Sequence, residues 1–165
     1  MELQQSILPA NLSKQERYEI SIQQLKAVTE GEGNLYANLG NCTAVLKYNL
    51  GWFWVGFYLA TPEKLILGPF QGTVACTTIP FNKGVCGAAY TQAKIINVPD
   101  VEAFPGHIAC SAYSKSEVVV PIIKDQKVVA VLDIDSDVLN SFDSEDEHYL
   151  SLIAEICASF SGWKS

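Results

Sequence analysis

Apolar residues recur at helical spacing near both ends of the chain. Ser13 followed by Glu16 forms a capping-box pattern, which predicts that a helix begins here and ends before Gly31. A second amphipathic helix is predicted from about Leu35 to Tyr48, and a final helix begins after Asp143 or Ser144. The apolar positions of the final helix are Leu150, Ile153, Ile156, Cys157 and Phe160. Cys157, and Cys42 in the second helix, are therefore interpreted as small core residues.

The middle of the chain changes to the pattern of β-strands. Apolar and branched runs predict strands over residues 52–59, 65–70, 74–79, 94–98, 117–124 and 127–135. A short helix of small residues is predicted after Gly84, with Cys86 near its N-terminus, where the helix dipole would favour a thiolate. The order of elements predicts an α+β fold with a mostly antiparallel sheet and the terminal helices packed on one face. Residues 13–165 form one domain in this interpretation, and residues 1–12 form an N-terminal arm.

Side chains alternate along a strand, so Trp54, Gly56 and Tyr58 share one face of the first strand. Gly56 supplies no side chain between the two aromatic rings. Such a gap is typical of a bulge or of the close approach of a ligand, although ordinary aromatic packing explains the run equally well.

Three acidic residues lie in the last two predicted strands: Glu117 begins one of them, and Asp133 and Asp135 follow the apolar run of the other. Asp133 and Asp135 point to the same side, and buried carboxylates need a cation, a proton or a donor as partner. A plain two-residue turn at residues 125–126 would pair Glu117 with Ile134, away from both aspartates. One extra residue would pair Glu117 with Asp135 instead, so a shared carboxylate site requires a bulge or a longer turn in this hairpin.

Charge and targeting signals exclude several classes of function. The 165 residues carry a formal net charge of -7 with only 11 Lys and Arg, so no basic stripe is present for a nucleic acid or an anionic membrane. The N-terminus lacks the pattern of a secretory signal, and no apolar run reaches membrane-spanning length. We therefore expect a cytoplasmic protein, in which the five cysteines are reactive, metal-binding or buried rather than a structural framework.

Three interpretations compete for Cys76, Cys86 and Cys110. With His107 they offer the ligand types of a zinc site, but close Cys-x-x-Cys spacing is absent. A hydrolase could use Cys110 with His107 as its base, which would leave the other thiols and the acids unexplained. In a redox enzyme, one thiolate attacks an oxidised substrate, becomes a sulfenic acid and forms a disulfide with a second cysteine. The redox interpretation uses all of these residues.

The motifs of the chain closely resemble those of the free methionine-(R)-sulfoxide reductases, single-domain enzymes of the GAF superfamily. The resemblance covers nearly the whole chain after Ser13 and therefore implies a single GAF-like catalytic domain. The motifs that carry it are residues 54–59 (WVGFYL), 67–72 (LGPFQG), 75–76 (AC), 84–87 (GVCG), 106–110 (GHIAC), 116–117 (SE), 131–136 (VLDIDS) and 142–146 (FDSED).

The resemblance also implies a role for each residue of the site. Cys110 would attack, Cys86 would resolve, and Cys76 would be an auxiliary thiol that joins disulfide exchange. Trp54 and Tyr58 would line the pocket around the methyl and sulfur end of the substrate. The acids Glu117, Asp133 and Asp135 would hold the substrate ammonium and protonate or polarise the sulfoxide oxygen, with Glu117 and Asp135 taking part in catalysis.

The function expected from these residues is thiol-dependent reduction of free L-methionine (R)-S-oxide to L-methionine, with thioredoxin as reductant. A thiolate needs a protonated sulfoxide oxygen, and three clustered carboxylates can keep one acid neutral near pH 7. No metal or other cofactor is expected, and the resemblance suggests a homodimer. The alternative is a GAF-type module that binds a small molecule or senses redox state without turnover.

Overall fold

A computed structural model describes residues 8–164. This part of the chain contains four α-helices, six β-strands and one short 3₁₀ turn at Val101–Ala103. The helices are α1 (Lys14–Thr29), α2 (Leu35–Leu50), α3 (Gly84–Gln92) and α4 (Ser144–Ala158). The strands are β1 (Trp54–Ala60), β2 (Lys64–Gln71), β3 (Thr78–Pro80), β4 (Ile96–Val98), β5 (Ser116–Lys124) and β6 (Lys127–Ser136).

The long helices begin and end where local side chains satisfy their backbone. At α1, Ser13 Oγ accepts a hydrogen bond from Glu16 N at 3.1 Å, and Glu16 Oε2 accepts one from Ser13 N at 2.7 Å, which confirms the predicted capping box. Helix α2 ends at Gly51, whose φ of 76° suits glycine. The Asp143 carboxylate caps α4 by accepting from the first backbone N–H groups.

The strands form one antiparallel sheet in the order β3-β2-β1-β6-β5-β4. The α+β class and the antiparallel sheet are confirmed. The third strand is shorter than predicted, because only Thr78–Pro80 pairs with β2 and residues 72–77 form a loop. This loop brings Cys76 away from the sheet edge and towards the site described below.

The two faces of the sheet carry separate cores. Helices α1, α2 and α4 pack on one face, over side chains such as Phe57, Leu132 and Ile134, as predicted for the terminal helices. Helix α3 packs on the other face, against Val119 and Val131. The second face is only partly covered by this short helix, so space for a site remains beside it.

The hairpin between β5 and β6 has the irregularity that a shared carboxylate site requires. Asp125 and Gln126 form a two-residue turn with φ of 51° and 65°. Lys124 pairs with Lys127 and Ile123 with Val128, but Ile122 pairs with Ala130, so Val129 is an extra residue. The bulge shifts the remaining register by one and pairs Glu117 with Asp135. The predicted irregularity is therefore confirmed.

The structure describes only part of the N-terminal arm predicted over residues 1–12, since residues 1–7 lie outside the described chain. The backbone carbonyl of Pro9 accepts a hydrogen bond from Arg17 Nη2 at 2.8 Å, which ties the end of the arm to α1. Across residues 8–164, the helices lack the combination of length and apolar character that crossing a bilayer demands.

Candidate active site

Neighbouring strands place the aromatic and acidic residues in two rows on the α3 face. Trp54 pairs with Asp135, and Asp135 pairs in turn with Glu117 on its other side. In the next row, Gly56 pairs with Asp133. Because side chains alternate along each strand, all three acids point to the same side of the sheet as Trp54. The predicted assembly of Glu117, Asp133 and Asp135 on one face is confirmed.

The gap at Gly56 is filled by the ring of Trp54. A Cβ atom at Gly56 would overlap the Trp54 ring and Phe70, so only glycine allows the indole to fold across β1. Trp54 Nε1 donates to the Thr73 carbonyl at 2.9 Å, and its ring stacks with Tyr58 at a centroid distance of 6.2 Å. Both aromatic residues predicted to line a pocket do line one.

Cys76 and Cys110 are joined by a disulfide, with Cα atoms 5.5 Å apart. The two cysteines lie in different loops, 34 positions apart along the chain. Tyr58 holds the first loop by donating its hydroxyl hydrogen to the Cys76 carbonyl at 2.9 Å. The pairing differs from the one implied by the resemblance, in which Cys86 resolves. The resolving role of Cys86 stays a prediction.

Cys86 is a free thiol that is only 3% exposed and lies in the first turn of α3. The expectation that this helix N-terminus favours its thiolate is wrong in this fold. Burial raises the pKa of the Cys86 thiol well above its ordinary value, and the nearby charges of Asp133, Glu117 and Asp135 raise it further. Desolvation and three like charges outweigh the helix dipole, which acts only within the first turn.

All three acids of the cavity have raised pKa values. Burial is the main cause for each acid, because an ionised carboxylate loses its hydration. It raises the pKa of Glu117 to about 8, with a further contribution from the charge of Asp135. The pKa values of Asp133 and Asp135 lie well above their usual range, owing to burial and then to the charge of Glu117 and Asp133, respectively. At neutral pH the cluster therefore holds protons that it can donate.

Asp133 has an oxygen with no partner in residues 8–164. The buried Oδ1 atom accepts no hydrogen bond there, although the carboxyl group does contact the Cys86 thiol. A buried polar atom without a partner costs free energy, so it indicates a position for a ligand donor. This oxygen belongs to a cavity lined by Trp54, Tyr58, Cys86, His107, Cys110, Glu117, Asp133 and Asp135.

His107 also lines the cavity, next to one of the three acids. Its Nε2 atom is 3.6 Å from Glu117 Oε2, and burial lowers the pKa of the imidazole.

Cys76 and Cys110 cannot act as zinc ligands while they are bonded to each other. Cys86, Glu117 and Asp133 each offer a sulfur or oxygen atom within 4.8 Å of the others, which is the set in the described chain that could contact a cation.

Sequence reasoning missed several residues of the cavity wall. Ser114 hydrogen-bonds to the Asp135 carboxylate and offsets part of the rise in its pKa. Phe53 and Val74 line the cavity near its mouth. Phe53 lies on the opposite strand face to Trp54 by alternation, and Ser114 lies in a loop with no periodicity, so no local signal assigned either of them.

Comparison with known proteins agrees with this geometry. The GAF domain profile matches residues 34–159. The chain is 54% identical to GAF domain-containing protein A of Dictyostelium discoideum, covering 87% of this chain and 92% of that protein. It is 42% identical to the free methionine-R-sulfoxide reductase of Escherichia coli, covering 88% and 89% of the two chains.

A solved structure extends the comparison to three dimensions. The free methionine-R-sulfoxide reductase of Neisseria meningitidis, determined in complex with its substrate, superposes with a TM-score of 0.89 at 44% identity. The match covers 94% of each chain. The cysteines, acids and aromatic residues described above lie within residues 34–159, the range that the GAF domain profile matches. The chain therefore belongs to the GAF domain family and, within it, to the free methionine-R-sulfoxide reductases.

Proposed function

We propose that this protein reduces free L-methionine (R)-S-oxide to L-methionine and is then reduced by thioredoxin. The observation that carries the proposal is a disulfide at the mouth of a cavity whose floor is three buried carboxyl groups. A disulfide provides the two-electron chemistry, and carboxyl groups with raised pKa values provide the proton. The reductases of Escherichia coli and Neisseria meningitidis support the choice of substrate.

Cys110 attacks the sulfoxide sulfur in this mechanism. It lines the cavity, whereas Cys76 does not. The sulfoxide oxygen takes a proton as the new bond forms, because an unprotonated oxide is a poor leaving group. Glu117 is suited to donate this proton, since its pKa of about 8 keeps it protonated at pH 7. Methionine leaves, and Cys110 keeps the oxygen as a sulfenic acid.

A second thiol then attacks the Cys110 sulfenic acid, and water leaves as the disulfide forms. The bonded pair Cys76–Cys110 is the end state of this step. We retain Cys86 as the predicted resolving thiol, since it lines the same cavity as Cys110. A transient bond between Cys86 and Cys110 that Cys76 then attacks leads to the same end state.

The acidic floor also explains why the substrate is a free amino acid. An ammonium group can donate to the unpartnered Oδ1 atom of Asp133, and its positive charge would favour the ionised form of Asp135, whose pKa burial raises while no cation is bound. A methionine sulfoxide inside a peptide has no free amino group, so it would leave the acids unpaired. Trp54 and Tyr58 present their rings to the positive charge that develops on sulfur.

Turnover with separate epimers tests the proposal. Protein, thioredoxin, thioredoxin reductase and NADPH are mixed with the free R or S sulfoxide, and methionine is quantified by chromatography. We expect turnover of the R epimer alone and no product with Cys110→Ser, even in a single turnover. No methionine from the R epimer with verified reduced cysteines would leave the binding or redox-sensing module as the better interpretation.

A Cys86→Ser variant in the same assay separates the two routes to the disulfide. If Cys86 resolves, the variant should release one methionine per protein and then accumulate the Cys110 sulfenic acid, which dimedone labels. Multiple turnovers at the wild-type rate would show that Cys76 attacks the sulfenic acid directly. The matched control is Cys157→Ser, which alters a buried thiol on the other face of the sheet.

A further inference from the structure

The two segments that carry the disulfide, the first made of β2, β3 and the loop between them and the second of the chain before β5, are almost free of charge. Residues 65–82 and 103–114 contain no Asp, Glu, Lys or Arg, and His107 is the sole titratable basic residue among them. The whole chain, by contrast, has a formal net charge of -7. The centre of a protein interface is usually depleted of charged residues, because buried charges lose hydration. A partner protein can therefore cover a neutral surface around a half-buried disulfide with little loss of hydration free energy.

Large apolar side chains stand exposed on this neutral surface. Val74 is 87% exposed and Tyr113 is 69% exposed. The ring of Tyr113 lies 6.2 Å from the ring of Phe53, and Phe53 and Val74 line the mouth of the cavity together with Cys110. We call Phe53, Val74 and Tyr113 the disulfide rim. Aromatic residues in such positions are typical of binding surfaces.

The disulfide has an inner and an outer sulfur relative to the cavity. Cys110 contributes to the cavity wall, while Cys76 does not and lies next to Val74 in the loop of residues 72–77. A thiolate that approaches from the side of residues 72–77, outside the cavity, meets the Cys76 sulfur. Its attack there would release Cys110 towards the cavity, where the next substrate binds.

We propose that the disulfide rim is the docking surface of a protein dithiol reductant of the thioredoxin class, which attacks Cys76. This inference rests on the proposed function, because each reduced sulfoxide leaves one disulfide that must accept two electrons. The occupant is a dithiol protein because the bond to be broken lies within the rim. A small thiol would need no exposed apolar side chains around it.

Reduction of the Cys76–Cys110 disulfide takes place in two thiol–disulfide exchange steps. The first thiolate of the partner bonds to Cys76 Sγ while the Cys76–Cys110 bond breaks, and Cys110 leaves as a thiolate that takes up a proton. The second thiol of the partner then attacks the mixed disulfide and releases Cys76. The partner is oxidised to a disulfide, and two electrons and two protons pass to Cys76 and Cys110.

The test compares a protein reductant with a small one on the same oxidised protein. Reduction of the disulfide is followed directly by counting free thiols, first with thioredoxin and then with dithiothreitol. Tyr113→Asp should raise the KM for thioredoxin about tenfold, which corresponds to the loss of one strong interface contact. The rate with dithiothreitol should stay within about twofold, since Tyr113 does not line the cavity.

Tyr48→Asp is the matched control. Tyr48 is 71% exposed, close to the value for Tyr113, but it belongs to α2 on the opposite face of the sheet. This variant should leave both rates unchanged. Equal KM values for thioredoxin in Tyr113→Asp and wild type would overturn the proposal. A change in oligomeric state with an unchanged KM would also overturn it and would assign the rim to contacts between copies.

Trapping identifies the sulfur that is attacked. A thioredoxin variant that lacks its second cysteine should form a stable mixed disulfide, and peptide mapping should locate the bond at Cys76. A bond at Cys110 would contradict the outer position of Cys76. Both measurements follow disulfide reduction without methionine sulfoxide. A failure of the docking proposal is therefore distinguishable from a failure of the proposed function.

Discussion

The two faces of the sheet contain similar residues in different states. Asp146, under the helices, is 1% exposed and fully partnered: it accepts from Tyr18 Oη and Lys14 Nζ, both at 2.7 Å. Asp133, on the cavity face, is 6% exposed and has an oxygen without a partner among the described residues. The first acid joins α4 to α1, whereas the second is available to a ligand.

The cysteines on the two faces of the sheet also differ in their state. Cys42 and Cys157 are both completely buried under the helices, and their sulfur atoms lie 3.7 Å apart as free thiols. Cys76 and Cys110 are half-buried in loops and form a disulfide. Burial keeps the first pair out of contact with thiols and oxidants in solution. The reactivity of an aspartate or a cysteine in this protein thus depends on its bonding partners and on its access to solvent, and not on residue type alone.

Exchanging the two buried aspartates for asparagine gives the largest expected contrast. Asp133→Asn should lower kcat/KM by about 10²–10⁴, the usual contribution of proton transfer and charge in a site, without lowering the free energy of unfolding. Asp146→Asn should lower the free energy of unfolding by about 1.5–3 kcal/mol, because it weakens hydrogen bonds to a charged group. Steady-state kinetics and urea unfolding measure the two effects.

This prediction requires that the loss of activity occurs in Asp133→Asn and the loss of stability in Asp146→Asn. Asp146→Asn protein that is folded at the assay temperature should retain the kcat/KM of the wild type. An equal loss of kcat/KM in both variants would show that the helical face contributes directly to the site and would remove the contrast.

The pH dependence of stability should also differ between the faces. Glu117 has a pKa of about 8 in the folded protein and about 4.3 when unfolded, so the native state holds the extra proton between these values. Stability from this group is present below about pH 4.3 and is lost as the pH rises to about 8. The pKa of Asp143 on the helical side is lowered by Lys14, so its contribution has the opposite sign.

Urea unfolding at pH 5 and pH 8 measures this dependence, with Glu117→Gln as the test variant. Because glutamine does not titrate, the variant should lose less stability than wild type between the two pH values, by an amount on the order of a few kcal/mol. Asp143→Asn serves as the control and should not reduce the loss. A wild-type pH dependence in Glu117→Gln would contradict the raised pKa.

Alanine substitutions at two glycines should give the smallest difference between the two faces of the sheet. Gly56→Ala would push a methyl group into the Trp54 ring and Phe70, and we expect a loss of about 1–3 kcal/mol in the free energy of unfolding and a higher KM. Gly40→Ala in α2 meets no atom within 4 Å and should instead stabilise the protein by about 0.5–1 kcal/mol. Thermal unfolding and substrate titration distinguish them, and a neutral Gly56→Ala would contradict the close packing of Trp54.

The sequence determined most of the elements and the residues that carry the chemistry. Capping residues, glycines and the periods of 3.6 and 2 are local features, so they predicted the helices, the two strand faces and the burial of Cys42 and Cys157. They also limited the β5–β6 hairpin to two registers. Local patterns could not choose between those registers, because the choice depends on whether a bulge forms at Val129.

Only the tertiary structure decided the chemistry of individual cysteines. The partner of Cys110 is 34 residues away, and the path of the intervening loops determines which thiol it meets. The position of Cys86 in α3 favoured a thiolate, but burial beside Asp133 raises its pKa instead. Desolvation and charge act between residues that are distant in sequence, so the sequence alone specified the reactive groups and the fold decided their protonation and pairing.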